Sequence, residues 1–209
     1  MNIVEKLEWR YAVKKFDPSK KLSKEQLNNL IAATRLSASS YGLQPYKILV
    51  VENPAVREKL KAASYNQPQI TDASQLIVFA RVADLAESHV DEYTKNIAQT
   101  RNIDHAMLGD FANMMKGTVR NLDAASAATW TSKQAYIALG TLLTAAAAEG
   151  IDAAPMEGFN PAQYDEILGL KEKGLSAVVI AAVGFRAEDD AVQHFKKVRK
   201  PLEEFVEVI

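Results

Sequence analysis

Helical spacing of apolar residues alternates along this chain with short runs that are apolar throughout. Ile3 and Leu7 lie one turn apart, so Asn2 to Arg10 is read as a short amphipathic helix. Ser23-Lys24-Glu25-Gln26 is a capping box, in which the Ser23 oxygen serves a first-turn amide and Gln26 reaches back. It opens a helix through Leu27, Leu30 and Ile31 to about Leu36. A polar loop from Ser37 to Pro45 leads into a strand at Tyr46 to Val51. Pro54 suits a first helical turn, where its missing N–H costs nothing, and that helix runs to about Ala63.

Gln75 to Val82 is short and continuous enough for a buried strand. Two polar-faced helices are expected at Asp84 to Gln99 and His105 to about Leu122. Ala124 to Glu149 predicts one long helix, apolar nearly all round and closed by Gly150. Such a helix needs cover on every side, part of it expected from a second subunit. Ser176 to Val183 is the clearest buried strand. Leu202 to Ile209 carries strand-forming residues without a local partner, and is expected to add a strand to another subunit's sheet. With no repeat or linker, residues 1–209 are read as one α+β domain.

Composition narrows the function classes. Hydrophobic residues at 48% and charged residues at 24% are those of an ordinary globular protein. A net charge of −1 gives no field for nucleic acid. The absence of cysteine excludes disulfides and thiolate metal sites and fits a reducing compartment. The first residues lack the plan of a signal peptide, and the apolar stretch from Tyr136 to Ala148 is too short for a bilayer. The expectation is a cytoplasmic protein without nucleic-acid or membrane partners.

Candidate chemistry is sparse. Asp152 to Phe159, with Pro155 and Gly158, is read as a tight turn whose backbone amides point outward; alone it is also an ordinary connector. Basic clusters stand at Arg10 to Lys15 and Lys196 to Lys200, and would form a phosphate clamp if the fold joined them. Ser39 to Pro45 offers hydroxyls, amides and the flexible Gly42. There is no Walker loop, Gly-x-Gly-x-x-Gly or Gly-x-Ser-x-Gly, and His89, His105 and His194 share no ligand spacing, so no metal is expected. Asp91-Glu92 and Asp189-Asp190 are read as solvated charges. With no side-chain nucleophile in view, a bound cofactor is the expected source of chemistry.

In order, Arg10 with Lys14-x-Phe16-Asp17, Ser39-Ser40 with Gln44-Pro45, Asp72-Ala73-Ser74 and Trp130 with Lys133-Gln134 resemble the FMN-dependent nitroreductase family. So do Pro155-Met156-Glu157-Gly158-Phe159, Gly169 to Gly174 and Lys197-x-Arg199, and the likeness is to the oxygen-insensitive NAD(P)H nitroreductase and dihydropteridine reductase-like branch. The resemblance implies a central, mostly antiparallel sheet flanked by helices, in an intertwined homodimer that exchanges its C-terminal tails. It implies one FMN at each interface and NAD(P)H as co-substrate. Arg10, Lys197 and Arg199 would hold the phosphate, within a cofactor set that includes Tyr11 and Ala12. Lys14 and Asn66 would sit at the pyrimidine edge with Gln69 near the flavin, and Pro155 and Met156 would pack on the ring. The amides of Glu157 and Gly158 would face N5 and O4, while Ser39, Ser40 and Gly42 would reach in from the partner subunit.

By the same resemblance no side chain is catalytic, and the flavin N5 carries hydride to nitroaromatics, quinones or similar electron-poor acceptors in a ping-pong cycle. Tyr41, Tyr65, Met115 and Lys116 would wall the substrate pocket. Ala12 stands where many relatives have a hydroxyl, and Gln69 where close relatives have a lysine, which implies a lower flavin potential. A flavin store or sensor without turnover is the alternative class, and a cofactor-free helical interaction protein a third.

Overall fold

The computed structural model describes residues 2–209. Its first helix, α1 (Ile3–Trp9), is closed by Asn2: Asn2 Oδ1 accepts the Glu5 N–H at 3.1 Å, and the Glu5 carboxylate accepts the Asn2 N–H at 3.2 Å. The Ser23–Gln26 box likewise opens α2 (Lys24–Arg35), and Asn53 with Pro54 opens α3 (Pro54–Ala62). Strand β1 (Tyr46–Val51) precedes α3, and β2 (Gln75–Val82) follows the one-turn α4 (Gln69–Asp72). An excursion of α5 (Glu87–Arg101) and α6 (Gly109–Arg120) leads to α7 (Ala124–Glu149), which Gly150 ends at φ 70°.

β3 (Asp152–Met156), α8 (Pro161–Leu168), β4 (Leu175–Gly184) and the one-turn α9 (Leu202–Phe205) complete the chain. The strands form one antiparallel sheet in the order β1-β2-β4-β3. Both of its faces are buried, which is why β2 reads as an unbroken apolar run. Leu76, Val78 and Ala80 point into a layer with Leu60, Ile70 and Tyr164, on the side of α3, α4 and α8. Ile77 and Phe79 point the other way, against Leu30, Ala138, Leu139 and Leu142 of α2 and α7. Each such large side chain contributes about 1.5–3 kcal/mol relative to exposure, so a polar residue at any of them would remove much of a domain's net stability.

Three expectations are corrected. The segment read as a tight turn is an edge strand up to Met156, and an edge is where Pro155 can sit without breaking a ladder. Gly158 is not among the glycines at positive φ, so it is not there for left-handed freedom. Within this chain the tail carries a helical turn after Pro201, with Glu203 and Glu204 favourably at its N-terminus. The helix expected from His105 begins as a 3₁₀ turn, capped by Asp104, before α6 starts at Gly109.

Candidate functional site

The two ends of the chain meet at the β3 edge. Ala12 bridges Ala153 in parallel, Phe16 bridges Arg186, and Ala187 donates its N–H to Lys15 O at 2.9 Å. Asp190 fastens this junction. Its Oδ2 accepts the Lys14 and Lys15 N–H groups at 2.9 and 3.1 Å and the Tyr11 hydroxyl at 3.0 Å; its Oδ1 accepts the Val192 N–H at 3.2 Å. Only 3% exposed, Asp190 is a buried hub and not the solvated charge expected. Burial works against its ionised form, but these donors outweigh it and hold the carboxyl below its usual value.

Beside it, the Arg186 guanidinium lies over the Trp9 and Tyr11 rings, 4.3 and 4.5 Å from their centroids. The same group forks onto Asp152, with Nη2 to Oδ1 at 2.6 Å and Nε to Oδ1 at 2.9 Å. Nothing local in the sequence marks this stack, since its members come from the end of α1 and just after it, the start of β3 and the residues that follow β4.

The junction carries a cationic cleft of about 370 Å³, walled by Arg10, Tyr11, Ala12, Pro155, Lys197 and Arg199 among others. The two basic clusters are thus joined. Lys197 Nζ donates to the carbonyls of Leu7, at 2.6 Å, and Arg10. Arg10 Nε is buried without an acceptor. Burial and then Arg199 push the Arg10 guanidinium down from its usual value, with Asp152 opposing. Burial, Arg10 and Arg199 do the same to Lys197, against Glu8. Packed cations with an orphaned donor are relieved by an anion, and an arginine fork suits a phosphate. A second cleft of about 350 Å³, between Gly42–Tyr46 and α5, has no buried unpaired polar atom among its described residues.

Where β3 ends, the acceptors are taken and the donors are left. Glu157 O accepts the Phe159 N–H at 2.8 Å and Gly158 O accepts Gln67 Nε2 at 2.7 Å, while neither the Glu157 nor the Gly158 N–H meets an acceptor among the described residues. Strand alternation leaves Pro155 half-exposed but sends the Met156 side chain into the core, so only its backbone faces this edge. The neighbouring turn holds Tyr65 at φ 53° and Asn66 at φ 57°, a conformation costly for tyrosine. Gln69 is 6% exposed with Oε1 unpaired. Lys14 has its backbone N–H on Asp190 and its side chain exposed. Gln67 was missed in the sequence, where it stands unmarked between Asn66 and Pro68.

Ser39, Ser40, Tyr41 and Gly42 do not line the cationic cleft of their own chain. Gln134 Oε1 of α7 accepts the Ser40 N–H at 2.8 Å, and Ser39 Oγ accepts the Gln44 N–H at 3.1 Å. Tyr93 of α5 donates to Tyr41 O at 2.8 Å, Tyr41 Oη pairs with Thr118 Oγ1 at 3.1 Å, and the Tyr41 ring lies 6.5 Å from that of Trp130. Met115, expected in a substrate pocket, is fully buried: it faces inward from α6 and packs in one cluster with Val90 and Val119. Lys116 pairs with Asp91 at 2.6 Å. Among the described residues no group of acidic, histidine or cysteine side chains is arranged to hold a metal ion, and no helix is long and apolar enough to cross a membrane.

The sequence pattern of the nitroreductase family matches residues 7–185. A Staphylococcus haemolyticus protein named for NAD(P)H nitroreductase activity is 35% identical, over 99% of this chain and 97% of its own length. The major NAD(P)H-flavin oxidoreductase of Aliivibrio fischeri is 33% identical, over 99% and 98%. Among solved structures, one from Exiguobacterium sibiricum described as a nitroreductase in complex with FMN superposes with a TM-score of 0.84, at 20% identity, covering all of this chain and 98% of its own.

Proposed function

The chain belongs to the nitroreductase family, and from that premise we propose that it is an FMN-dependent oxidoreductase passing hydride from NAD(P)H to nitroaromatics, quinones or related electron-poor acceptors. The observation that carries this reading is the meeting of Arg10, Lys197 and Arg199 in one cleft around a buried, unpaired Arg10 Nε. Those residues fit the phosphate of FMN. When bound, FMN supplies the hydride relay between the two substrates.

The chain's own residues bind and orient. Arg10, Arg199 and Lys197 hold the phosphate; Tyr11 and Ala12 line its approach, and Pro155 packs under the ring system. Ala12 leaves one polar contact unmade. The unpaired N–H groups of Glu157 and Gly158 are the donors for the ring edge, with Asn66 and Gln69 on the adjoining turn. Lys14 offers positive charge where the ring becomes electron-rich, which favours the reduced form. Tyr41, Tyr65 and Lys116 are the proposed substrate wall. NAD(P)H and acceptor use one open face in turn.

A homodimer completes the site. Supporting it, α7 exposes Tyr136 and Ile137 beside a groove over Gly140, Thr144 and Ala148, and α1 exposes Ile3, Val4 and Leu7. The partner covers that surface and brings its own Ser39–Gly42 loop to the cofactor, and the tail passes across the interface. The absence of cysteine accords with a cytoplasmic setting.

The test is the visible spectrum of the purified protein before and after anaerobic NADPH or NADH. A yellow protein that bleaches, and recovers on adding a quinone or nitroaromatic, is the expected result. A yellow protein that neither nucleotide reduces would make it a store or sensor, and a colourless one that cannot be reconstituted would remove the FMN reading.

A further inference from the structure

Tyr136 stands within α7, 39% exposed, and its hydroxyl donates to Glu157 Oε1 at 2.5 Å. Burial, then the hydrogen bond and charge of Glu157, push the phenol up to about 12, so it remains a donor across the neutral range. A charge-assisted bond of this kind contributes to stability, less where solvent reaches it. Its place on the backbone is what distinguishes it.

Glu157 follows the last residue of β3, and the segment is held at three points. The Glu157 carbonyl is occupied by the Phe159 N–H, the Gly158 carbonyl by Gln67, and the Glu157 carboxylate by Tyr136. A peptide unit is planar, so fixing the Glu157 carbonyl also fixes the Gly158 N–H, which points the opposite way. Gln67 holds the next peptide from the α3–α4 side, while Tyr136 holds the side chain from α7. The two N–H groups left without acceptors lie between these anchors. Tyr136 also restrains a carboxylate charge that would otherwise be free to approach the same edge.

We propose that Tyr136 is a positioning residue which, acting through the Glu157 carboxylate and opposite Gln67, sets the direction of the Glu157 and Gly158 N–H groups toward the flavin ring. This rests on the FMN reading above. Donors aimed at the ring edge favour the electron-rich reduced flavin, and a loosened donor pair or a wandering carboxylate disfavours it. The reduction potential therefore reports the role, which thermal stability would not.

The experiment is a double-mutant cycle on the FMN-loaded protein with Y136F, E157A and the pair, reading midpoint potential, visible flavin spectrum and unfolding temperature. Y136F keeps the ring and loses one oxygen, and Glu157 is exposed, so both variants should fold. The expected result is a lower potential and an altered flavin spectrum in Y136F, with the unfolding temperature lowered by no more than about a few degrees. In the pair, the potential matches that of E157A alone. Either a wild-type potential in Y136F, or an equal drop on adding Y136F to E157A, overturns the proposal. A wild-type protein that cannot take up FMN overturns both readings, and is distinguished from a yellow protein whose cycle is flat.

Discussion

Tyr11 donates its hydroxyl to Asp190 at 3.0 Å, across 179 residues of chain. Asp190→Asn keeps the shape but gives up charge and acceptors, and is expected to cost about 1–3 kcal/mol, read as a lower urea midpoint at unchanged slope. The pH dependence has a definite sign. Because the folded carboxyl is held below its usual 3.8, its contribution is complete above that value and is lost as pH falls through the lower folded one. Wild-type protein should therefore lose stability with acid more steeply than D190N below a pH of about 4. Parallel acid titrations of the two proteins would expose an error in this account.

Arg10→Ala should separate FMN from riboflavin. A charge-assisted hydrogen bond contributes about 1.5–3 kcal/mol, so FMN affinity should drop by about tenfold or more. Riboflavin, which lacks the phosphate, should bind both proteins alike. Fluorescence titration with each flavin decides it, and equal losses for both would place Arg10 elsewhere.

Gly42→Ala should destabilise by about 1–3 kcal/mol, because φ is +79° and a methyl there would collide with the Tyr93 hydroxyl. Tyr93 must then release Tyr41 O, which loosens the Ser39–Gly42 loop from α5. A melting temperature equal to wild type would show that the loop tolerates the change.

Gln69→Lys should raise the flavin potential. The side chain is buried with an unpaired oxygen, and an ammonium in its place adds charge that favours the reduced ring. Dye-equilibrated titration of both proteins gives the comparison, and a lower potential in Q69K would contradict the placement.

Local signals were readable in the sequence. The bounds expected for β1, β2 and α7 are those found, because each rests on a local apolar pattern or on a cap beside its own residues. β3 was misread because Pro155 and a short edge look like a turn until Ala181 and Ala182 of β4 are seen opposite. α8 carried a signal that went unread, since Asn160 caps it and Pro161 takes its first position. Asp190 could not be read at all: its neighbours suggest solvent, and its main partners lie at the other end of the chain. Met115 is placed in the pocket by resemblance alone, whereas its spacing with Phe111 and Val119 along α6 puts it on the inward face.

Because the cationic cleft is built from Arg10 at one end and Lys197 and Arg199 at the other, it has no precursor during synthesis. A growing chain can finish its sheet and bury both faces once β4 has emerged, yet still have nowhere to grip an anion. On the proposed reading of this cleft, cofactor loading is a late event in synthesis, possible in full only once Lys197 and Arg199 have joined Arg10.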